Sequence, residues 1–270
     1  MDLSIIIVNY KTKTATSDCV DSCLGEGSKA DIEIIVVDNG SGDGSYEYFK
    51  KKYQKHKNII LIENDQNLGF AKAVNQGLKI SKGKYKYLLN SDTAVTNGTF
   101  DNLIMLAESD GKIGVIGTKL VLPDGSIQKS CFNFPTIGNA IREYWFGERE
   151  KYSSFYKENT SEVDSVVGAS FFITPKAYEQ VGIFDERYFM FYEDHNYCRR
   201  VKDLRMKVIY FPEVTVFHHH GLSGKDISSG QNQWRRLIPS SKVFNGVLKH
   251  YLINFILWSG QKFFVKKSPE

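Results

Sequence analysis

Four short apolar runs in the first third of the chain constrain its fold more than any other feature. Their positions are 3–8, 32–37, 58–62 and 85–89. The first two are rich in β-branched residues, as in strands that are buried on both faces. Helical stretches at 14–24, 46–53 and 68–80 separate the runs. This alternation predicts βαβ units around a parallel sheet, and therefore an α/β fold.

Polar residues directly follow each of these predicted strands. They are Asn9-Tyr10, Asp38-Asn39, Glu63-Asn64 and Asn90-Ser91-Asp92. Ligands of parallel sheets bind beyond the carboxyl ends of the strands. One polar end alone is also typical of an ordinary turn, but four such ends together favour a ligand site at one edge of the sheet.

The pattern changes after residue 92. Helices are expected at 100–107 and 193–202, and a further helix is expected to start at Pro175, a position that tolerates proline. Strands are expected at 113–117, 163–174 and 207–217, with a hairpin around 123–125. The segment 131–160 carries many aromatic residues and is expected to be irregular.

Composition narrows the class of protein. The chain has 270 residues and a net charge of +4, and its excess of lysine falls after residue 240. No nucleic-acid-binding motif accompanies these lysines, so an anionic membrane surface suits this basic, aromatic-rich end better. The four cysteines form no C-x-x-C pair, which argues against a zinc cluster.

We find no secretory leader before Leu3 and no apolar window of the roughly 18 residues that a spanning helix needs. From these features we expect a cytoplasmic protein at the inner face of the cytoplasmic membrane.

Asp92 and His218 are candidate metal ligands. Asp92 leaves the end of a predicted strand, where a carboxylate can hold a divalent cation that bridges two phosphates. Mg²⁺ and Mn²⁺ accept few protein ligands and take the rest from phosphate and water, so one or two side chains suffice. An Asn-Ser-Asp sequence is also a common turn, and three consecutive histidines also occur as an exposed run.

Glu193 and Asp194 begin a predicted helix, directly after an aromatic-rich run that ends at Tyr192. Acidic residues at a helix start can simply compensate the helix dipole. Beside so many aromatic side chains, the pair favours a carboxylate that faces a partly dry cleft of the size of a sugar. Such a carboxylate can act as a general base toward an acceptor hydroxyl.

The segment 67–77 opens a helix whose amino end offers main-chain amides to an anion. Lys72 adds positive charge to this helix. The segment also has the apolar face of an ordinary amphipathic helix, and the two interpretations are compatible.

Together these residues resemble the inverting glycosyltransferase family 2, and most closely its rhamnosyltransferase-like branch. The matching motifs follow the family's order between residues 3 and 223 and are specific as a set. They are Ile-Ile-Ile-Val-Asn-Tyr from Ile5, Val-Val-Asp-Asn-Gly-Ser from Val36, Asn-Leu-Gly-Phe-Ala from Asn67, Leu-Leu-Asn-Ser-Asp from Leu88, Gly-Ala-Ser-Phe-Phe from Gly168, Phe184-Asp185-Glu186, Tyr192-Glu193-Asp194, and His218-x-x-Gly221-x-Ser223.

The resemblance implies a GT-A-type, Rossmann-like fold, a nucleoside-diphosphate-sugar donor, and Mg²⁺ or Mn²⁺ as cofactor. It implies that Asp92 and His218 hold the metal and that Asp194 is the catalytic base. The nucleotide and donor would contact Asn9, Tyr10, Asp38, Asn39, Lys72, Asn75, Asn90 and Ser91. The acceptor would lie against Tyr192, Glu193 and Trp145, because aromatic faces stack well on sugar rings, although packing alone would also explain these aromatic residues.

Two departures from the family pattern stand out. Asn196 occupies a position where the family often has a further acid. This departure puts in doubt only the supporting role that such an acid would have. The segment 231–235 lacks the Q-x-x-R-W signature of processive members, so polymer extrusion is not expected.

We expect a glycosyltransferase domain over 1–225, with a nucleotide-binding half at 1–92 and an acceptor and catalytic half at 93–225. Residues 226–270 would form a helical appendage. Within it, 243–265 would either lie on a membrane surface, near a lipid-linked acceptor, or pack on the domain or on a dimer partner.

The resemblance makes dTDP-rhamnose the leading donor, while UDP-hexoses and UDP-galactofuranose stay open. The acceptor would be a glycan or lipid-linked hydroxyl in cell-surface polysaccharide synthesis. A sugar nucleotidyltransferase or a nicotinamide dehydrogenase should show a glycine-rich loop after the first strand, and this chain has none there. A non-catalytic sugar-binding scaffold is the alternative class, although Asp92, Asp194 and His218 are all present.

Overall fold

A large mixed sheet between two layers of helices forms the core of the computed structural model, which describes residues 1–219 and 230–264. The strands are β1 (Leu3–Asn9), β2 (Ile32–Asp38), β3 (Ile59–Glu63), β4 (Tyr85–Asn90), β5 (Thr93–Val95), β6 (Ile113–Val121), β7 (Ile127–Gln128), β8 (Cys131–Phe132), β9 (Ser161–Val163), β10 (Ser165–Val166), β11 (Ser170–Ile173) and β12 (Lys207–His218). The helices are α1 (Lys13–Leu24), α2 (Ser45–Lys52), α3 (Phe70–Ile80), α4 (Thr99–Ser109), α5 (Ile137–Tyr144), α6 (Pro175–Val181), α7 (Glu193–Asp203), α8 (Gly230–Asn245) and α9 (Val247–Ser259), and a π-helical turn, Gly260–Phe264, follows α9.

The strand order of the main sheet is β3-β2-β1-β4-β11-β6-β12-β5, with β7 beside β6 and β9 beside β12. The first four strands in this order are parallel, as are β6 and β12. β11 and β5 run antiparallel to their neighbours. The predicted α/β class is therefore confirmed, in the form of a mixed sheet that is followed by C-terminal helices.

The first strand shows why its sequence is continuously apolar. Ile5 and Ile7 pack with α1, α2 and α4 on one face of the sheet, whereas Ile6 packs with α3 and α7 on the other. Successive side chains of a strand point to opposite faces. A strand that is covered on both faces therefore has no polar alternation.

The chain reverses its order beside β1. β2 and β3 follow β1 on one side, and β4 lies on the other side. In open α/β sheets such a reversal opens a crevice at the carboxyl ends of the strands. The segments that follow β1 and β4 border this crevice.

Three expected elements differ from those observed. The segment 131–160 contains α5, which Thr136 caps by accepting a hydrogen bond from the main-chain N–H of Asn139. The expected strand at 163–174 is divided among β9, β10 and β11. The C-terminal segment is broken between α8 and α9 at Gly246, whose φ of +79° favours glycine.

Some predicted features fall on residues that the structure does not describe. Gly221 and Ser223 of the histidine motif and the lysines of the basic tail, Lys266 and Lys267, lie outside the described residues. Among the helices in 1–219 and 230–264, none combines the length and the apolar character that crossing a bilayer requires.

Candidate active site

A cavity of about 530 Å³ lies at the carboxyl edge of the sheet, where the chain order reverses. Its walls come from both halves of the sequence. Among the residues selected from the sequence, those that line it are Tyr10, Asn39, Asn90, Ser91, Asp92, Tyr192, Glu193, Asp194 and His218. The two candidate metal ligands and the candidate base therefore face one cavity.

Strand pairing brings Asp92 and His218 together although they are far apart in the sequence. β5 pairs antiparallel with the end of β12, so that His218 lies opposite Thr93, and the N–H of His219 donates to the carbonyl of Asp92 at 2.8 Å. The Oδ1 of Asp92 is 3.3 Å from the Nε2 of His218. Both side chains are buried, so solvent does little to screen their interaction.

Hydrogen bonding to Gln128 sets the tautomer of His218. The Nδ1 of His218 is 2.6 Å from the Oε1 of Gln128, and because an amide oxygen only accepts, Nδ1 carries the proton. The other ring nitrogen, Nε2, faces the carboxylate of Asp92. An imidazole nitrogen and a carboxylate oxygen at this distance can ligate the same cation.

This donor set fits a divalent ion. Carboxylate oxygen suits both Mn²⁺ and Mg²⁺, imidazole nitrogen suits transition-metal ions such as Mn²⁺, and these ions take their remaining ligands from phosphate and water. Within the described residues no group of three or more His, Cys, Asp or Glu side chains forms a complete protein site. A divalent ion held by these two side chains would take its other ligands from phosphate or water.

Asp194 is fixed by main-chain amides at the start of α7. Its Oδ2 accepts from the N–H of Gly168 at 3.0 Å, and its Oδ1 accepts from the N–H of His195 at 2.7 Å. The Nδ1 of His195 also lies 3.2 Å from Oδ1. Burial acts to raise the pKa of Asp194, but His195 and these hydrogen bonds bring it below its usual value. Asp194 is therefore ionised and oriented.

Glu193 shows the opposite behaviour. Burial, and next the charge of Asp194, raise the pKa of Glu193 to about 8. Its Oε2 has no hydrogen-bond partner among the described residues. Two adjacent carboxyl groups with pKa values that are pushed apart provide one acid and one base at the same pH.

A strained turn aims these carboxyl groups into the cavity. Phe191 and Tyr192 both have φ near +69°, in the left-handed region that costs non-glycine residues about 1–3 kcal/mol each. The surrounding structure holds the turn in place. The N–H of Phe70 donates to the carbonyl of Phe189 at 2.7 Å, and the Oγ of Ser240 on α8 donates to the carbonyl of Met190 at 2.8 Å.

Asn9 and Asp38, predicted to contact the nucleotide, are buried and do not line the cavity. The Nδ2 of Asn9 donates to Asp38 at 2.6 Å and to Ser41 at 3.0 Å, and Ser41 also donates to Asp38. These bonds satisfy the polar groups that follow β1 and β2. Asn9 and Asp38 thus join the ends of β1 and β2 to each other and support the cavity from outside its lining.

Asn39 lines the cavity, but most of the hydrogen bonds of its side chain go to the loop beside it. Its Nδ2 donates to Asn67 at 3.1 Å and to the carbonyl of Gly69 at 3.3 Å, while its Oδ1 accepts from the N–H of Leu68 at 3.0 Å and from Asn64 at 3.1 Å. Asn39 therefore shapes the loop that precedes α3.

Asn75 and Lys72 also lie outside the cavity lining. Asn75 is fully buried, and its amide bonds both the N–H and the carbonyl of Phe184 at 2.9 Å. It thus holds the Phe-Asp-Glu motif against α3. Lys72 is exposed on α3, on the side of the helix opposite the buried residues Val74 and Leu78.

Trp145, predicted to contact the acceptor, follows α5 and packs against α9. Its Nε1 donates to the Oγ of Ser259 at 3.0 Å, and it belongs to an apolar cluster with Ala140, Ile253 and Ile256. It is absent from the cavity lining formed by the described residues. The aromatic segment around it thus serves to anchor the C-terminal helices.

Sequence reasoning missed two residues of the site. Gln128 lies in a two-residue strand, and no local pattern marks it. The ring of His195 is tilted against that of Phe132, with centroids 4.7 Å apart, and its Nδ1 is 3.1 Å from the Oγ of Ser165. Its position directly after the Glu-Asp pair is a signal from which it could have been predicted.

A family model described as Glycosyl transferase family 2 matches residues 4–168, which is more than half of the 270 residues. The chain belongs to this family of glycosyltransferases. It is 26% identical over 228 residues to an N-acetylglucosaminyl-diphospho-decaprenol L-rhamnosyltransferase of Mycobacterium tuberculosis, which covers 76% of this chain and 73% of the relative.

Solved structures of other proteins are similar in fold to this chain. A mannosyltransferase from Pyrobaculum calidifontis in complex with GDP-Man and Mn²⁺ has a TM-score of 0.64 at 16% identity, covering 96% of this chain and 73% of the other. Residues 1–349 of S. aureus TarS in complex with UDP have a TM-score of 0.61 at 16% identity, covering 97% and 71%. At these identities the likeness establishes a GT-A-like fold, as the resemblance implied.

Proposed function

We propose that this glycosyltransferase transfers a sugar from a nucleoside diphosphate to an acceptor hydroxyl with inversion at the anomeric carbon. One observation carries the proposal: the oriented carboxylate of Asp194 and the Asp92–His218 pair line the same cavity. A base for the acceptor and an anchor for a diphosphate are the two groups that a single displacement requires.

Asp194 accepts the proton of the acceptor hydroxyl. The acceptor oxygen forms a bond to the anomeric carbon while the bond from that carbon to the diphosphate oxygen breaks, so that the nucleoside diphosphate leaves with the electron pair. The main-chain amides of Gly168 and His195 hold the carboxylate in position for this proton transfer. Glu193 is neutral at pH 7 because its pKa is near 8. Its carboxyl group therefore donates a hydrogen bond to the bound acceptor.

Asp92 and His218 would hold Mn²⁺ or Mg²⁺, and the ion when bound supplies positive charge beside the leaving diphosphate. Asn90 and Ser91 line the cavity next to this pair, and Tyr10 offers an aromatic face for the nucleotide. The Mn²⁺ named for the Pyrobaculum mannosyltransferase complex supports this assignment.

The donor that we propose first is dTDP-rhamnose, with a lipid-linked glycan as the acceptor. The curated relative is named as a rhamnosyltransferase that acts on a diphospho-decaprenol substrate. The cavity walls are largely apolar, with Val8, Phe70, Phe132, Val167 and Leu237 among them. A 6-deoxy sugar suits such walls, because it carries a methyl group where other hexoses carry a hydroxymethyl group.

The test has two stages. Thermal-shift measurements with dTDP-rhamnose, UDP-glucose and UDP-galactofuranose in Mn²⁺ select the donor. Turnover of the selected donor is then compared for the wild type, Asp194→Asn, and the control Asp203→Asn at the exposed end of the same helix.

We expect Asp194→Asn to lower turnover about 10²- to 10⁴-fold, as for loss of a general base, while the donor-induced thermal shift persists. Asp203→Asn should match the wild type. Wild-type turnover in Asp194→Asn would exclude Asp194 as the base.

A further inference from the structure

The solvent-facing side of α9 is apolar along its whole length. Residues three and four positions apart share one face of a helix, and here that face is exposed rather than packed. Exposure ranges from 42% for Leu252 to 84% for Leu248. The members of this α9 stripe are Val247, Leu248, Tyr251, Leu252, Phe255 and Trp258.

The opposite face of α9 is anchored, so the stripe has a fixed direction. Ile253 and Ile256 are buried against α5, and the bond from Trp145 to Ser259 ties the end of α9 to the residue that follows α5. Gly260 approaches Tyr144 so closely that a Cβ there would lie 2.5 Å from its side chain. Packing of α9 thus leaves only the stripe uncovered by the described residues.

Positive charge borders the α9 stripe. The Nζ of Lys242 lies 4.8 Å from the ring centroid of Tyr251, and that of Lys262 lies 5.1 Å from the ring centroid of Trp258. No Asp or Glu occurs between Asp226 and Glu270, whereas the basic residues there are Arg235, Arg236, Lys242, Lys249, Lys262, Lys266 and Lys267. An aromatic surface with a basic border is complementary to an anionic lipid surface.

Hydrogen bonds connect α9 to the active-site cavity. The Nδ1 of His250 on α9 is 2.9 Å from the Oγ of Ser241 on α8. The adjacent Ser240 donates to the carbonyl of Met190, which lines the cavity. The orientation of α9 on a surface therefore also sets the orientation of the cavity.

We propose that the α9 stripe is a docking surface for an anionic lipid bilayer, which holds the cavity toward an acceptor that is anchored in the same bilayer. The acceptor part of this statement rests on the proposed function, and the docking part does not. Aromatic side chains would enter the lipid interface, while the lysines reach the headgroups with their charged ends.

Flotation of the full-length protein with vesicles tests the docking. The vesicles contain either equal parts of phosphatidylglycerol and phosphatidylcholine or phosphatidylcholine alone. The double variant Leu248→Glu with Phe255→Glu is compared with the control Ile80→Glu with Met105→Glu, which adds the same charge at exposed apolar positions of α3 and α4.

We expect wild type and control to float with the anionic vesicles, less so at high salt because salt screens the lysines. The α9 double variant should bind at least about tenfold more weakly, because burial of each Leu or Phe side chain contributes about a tenfold factor. Equal flotation of both double variants, or none by the wild type, overturns the proposal.

Sedimentation velocity without lipid tests whether a second copy of the chain, rather than a bilayer, covers the α9 stripe. A wild-type dimer that the α9 double variant converts to monomers, without wild-type flotation, would assign the stripe to a second copy of the chain and overturn lipid docking. Neither assay contains donor or acceptor. Failure of docking would therefore leave the Asp194 test unaffected, and failure of that test would leave docking unaffected.

Discussion

Single side chains in this glycosyltransferase are oriented by groups that the reaction itself does not use. Gln128 fixes the tautomer of His218, and the amides of Gly168 and His195 fix the carboxylate of Asp194. Such partners raise the precision of a site, because a ligand that binds does not have to order the side chains. Substitution of these partners should therefore lower ligand affinity or turnover at the site.

Gln128→Leu should weaken Mn²⁺ binding. The substitution removes the acceptor for Nδ1 of His218, so the imidazole loses its preferred tautomer and orientation. Loss of such a partner typically lowers metal affinity by about 10- to 100-fold. Calorimetric titration of Mn²⁺ in the presence of UDP or dTDP measures the change, and Ile127→Ala on the same short strand is the control. Unchanged affinity in Gln128→Leu would count against His218 as a ligand.

Glu193→Gln should change how stability depends on pH. The native pKa of Glu193 is about 8 and its ordinary value is 4.5, so between these values the folded state retains a proton that the unfolded state has released. The contribution of Glu193 to the free energy of unfolding therefore falls as pH rises from about 4.5 to about 8, by about 1.4 kcal/mol per unit of pKa shift at most.

Urea denaturation at pH 5 and pH 8 measures this effect. Glutamine cannot ionise. The free energy of unfolding of Glu193→Gln, relative to that of wild type, should therefore rise by a few kcal/mol from pH 5 to pH 8. Groups common to both proteins cancel in the comparison. A stability difference that is the same at both pH values would show that Glu193 titrates normally.

At the scale of elements, two loops meet to form one wall of the cavity. The loop before α3 passes directly under the segment that leads to α7, and the carbonyl of Phe189 accepts from the N–H of Phe70. This close approach requires glycine at position 69, where φ is +89° and a Cβ would lie 2.7 Å from that carbonyl oxygen. The position of the Glu193–Asp194 turn therefore depends on a residue that is distant in sequence.

Gly69→Ala should destabilise the protein and disturb the cavity. Gly182→Ala is a matched control, because its φ is +78° and a Cβ there would meet nothing within 4 Å. Both variants place alanine at a positive φ with an extended ψ, which costs about 1–3 kcal/mol, and only Gly69→Ala adds a clash with main chain. Thermal unfolding and the donor-induced thermal shift should both be lowered more by Gly69→Ala. Equal effects of the two substitutions would contradict the close packing of the loops.

At the scale of the whole molecule, the C-terminal helices are joined to α5 and to the region around α7. Phe244 on α8 is buried beside Tyr192, with ring centroids 5.3 Å apart, and beside the guanidinium of Arg199 on α7 at 4.1 Å. α9 in turn packs on α5. We therefore expect the segment after 226 to unfold together with the rest.

Phe244→Ala should lower the free energy of unfolding by about 3–5 kcal/mol, as for truncation of a buried phenylalanine. Phe263→Ala, at a position that is 65% exposed, should change it by less than about 0.5 kcal/mol. Tryptophan fluorescence reports on the helical end, since the tryptophans are Trp145, Trp234 and Trp258, while far-UV circular dichroism reports on the whole fold. Two separate transitions in wild type would show that the C-terminal helices are an independent appendage.

Local sequence patterns predicted the strands that helices cover on both faces. The β1, β2 and β4 runs are continuous because the sheet is covered on both faces, and Pro175 marks the start of α6. We did not expect α5 within 131–160, although Ile137, Ala140, Ile141 and Tyr144 have helical spacing and pack toward α9. The positions of Asn75 and Trp145 outside the cavity lining could not be predicted, because their partners, Phe184 and Ser259, are remote in sequence.

The sequence by itself determined the α/β class, the motifs of the family and the residue types that the reaction requires. Only the tertiary structure decided which of these residues face the cavity. Asp92 and His218 meet because β5 pairs with the end of β12, and Asp194 faces the same space because remote loops hold a strained turn. Long-range pairing leaves no local signal in the chain, whereas burial on one or two faces leaves a periodic one.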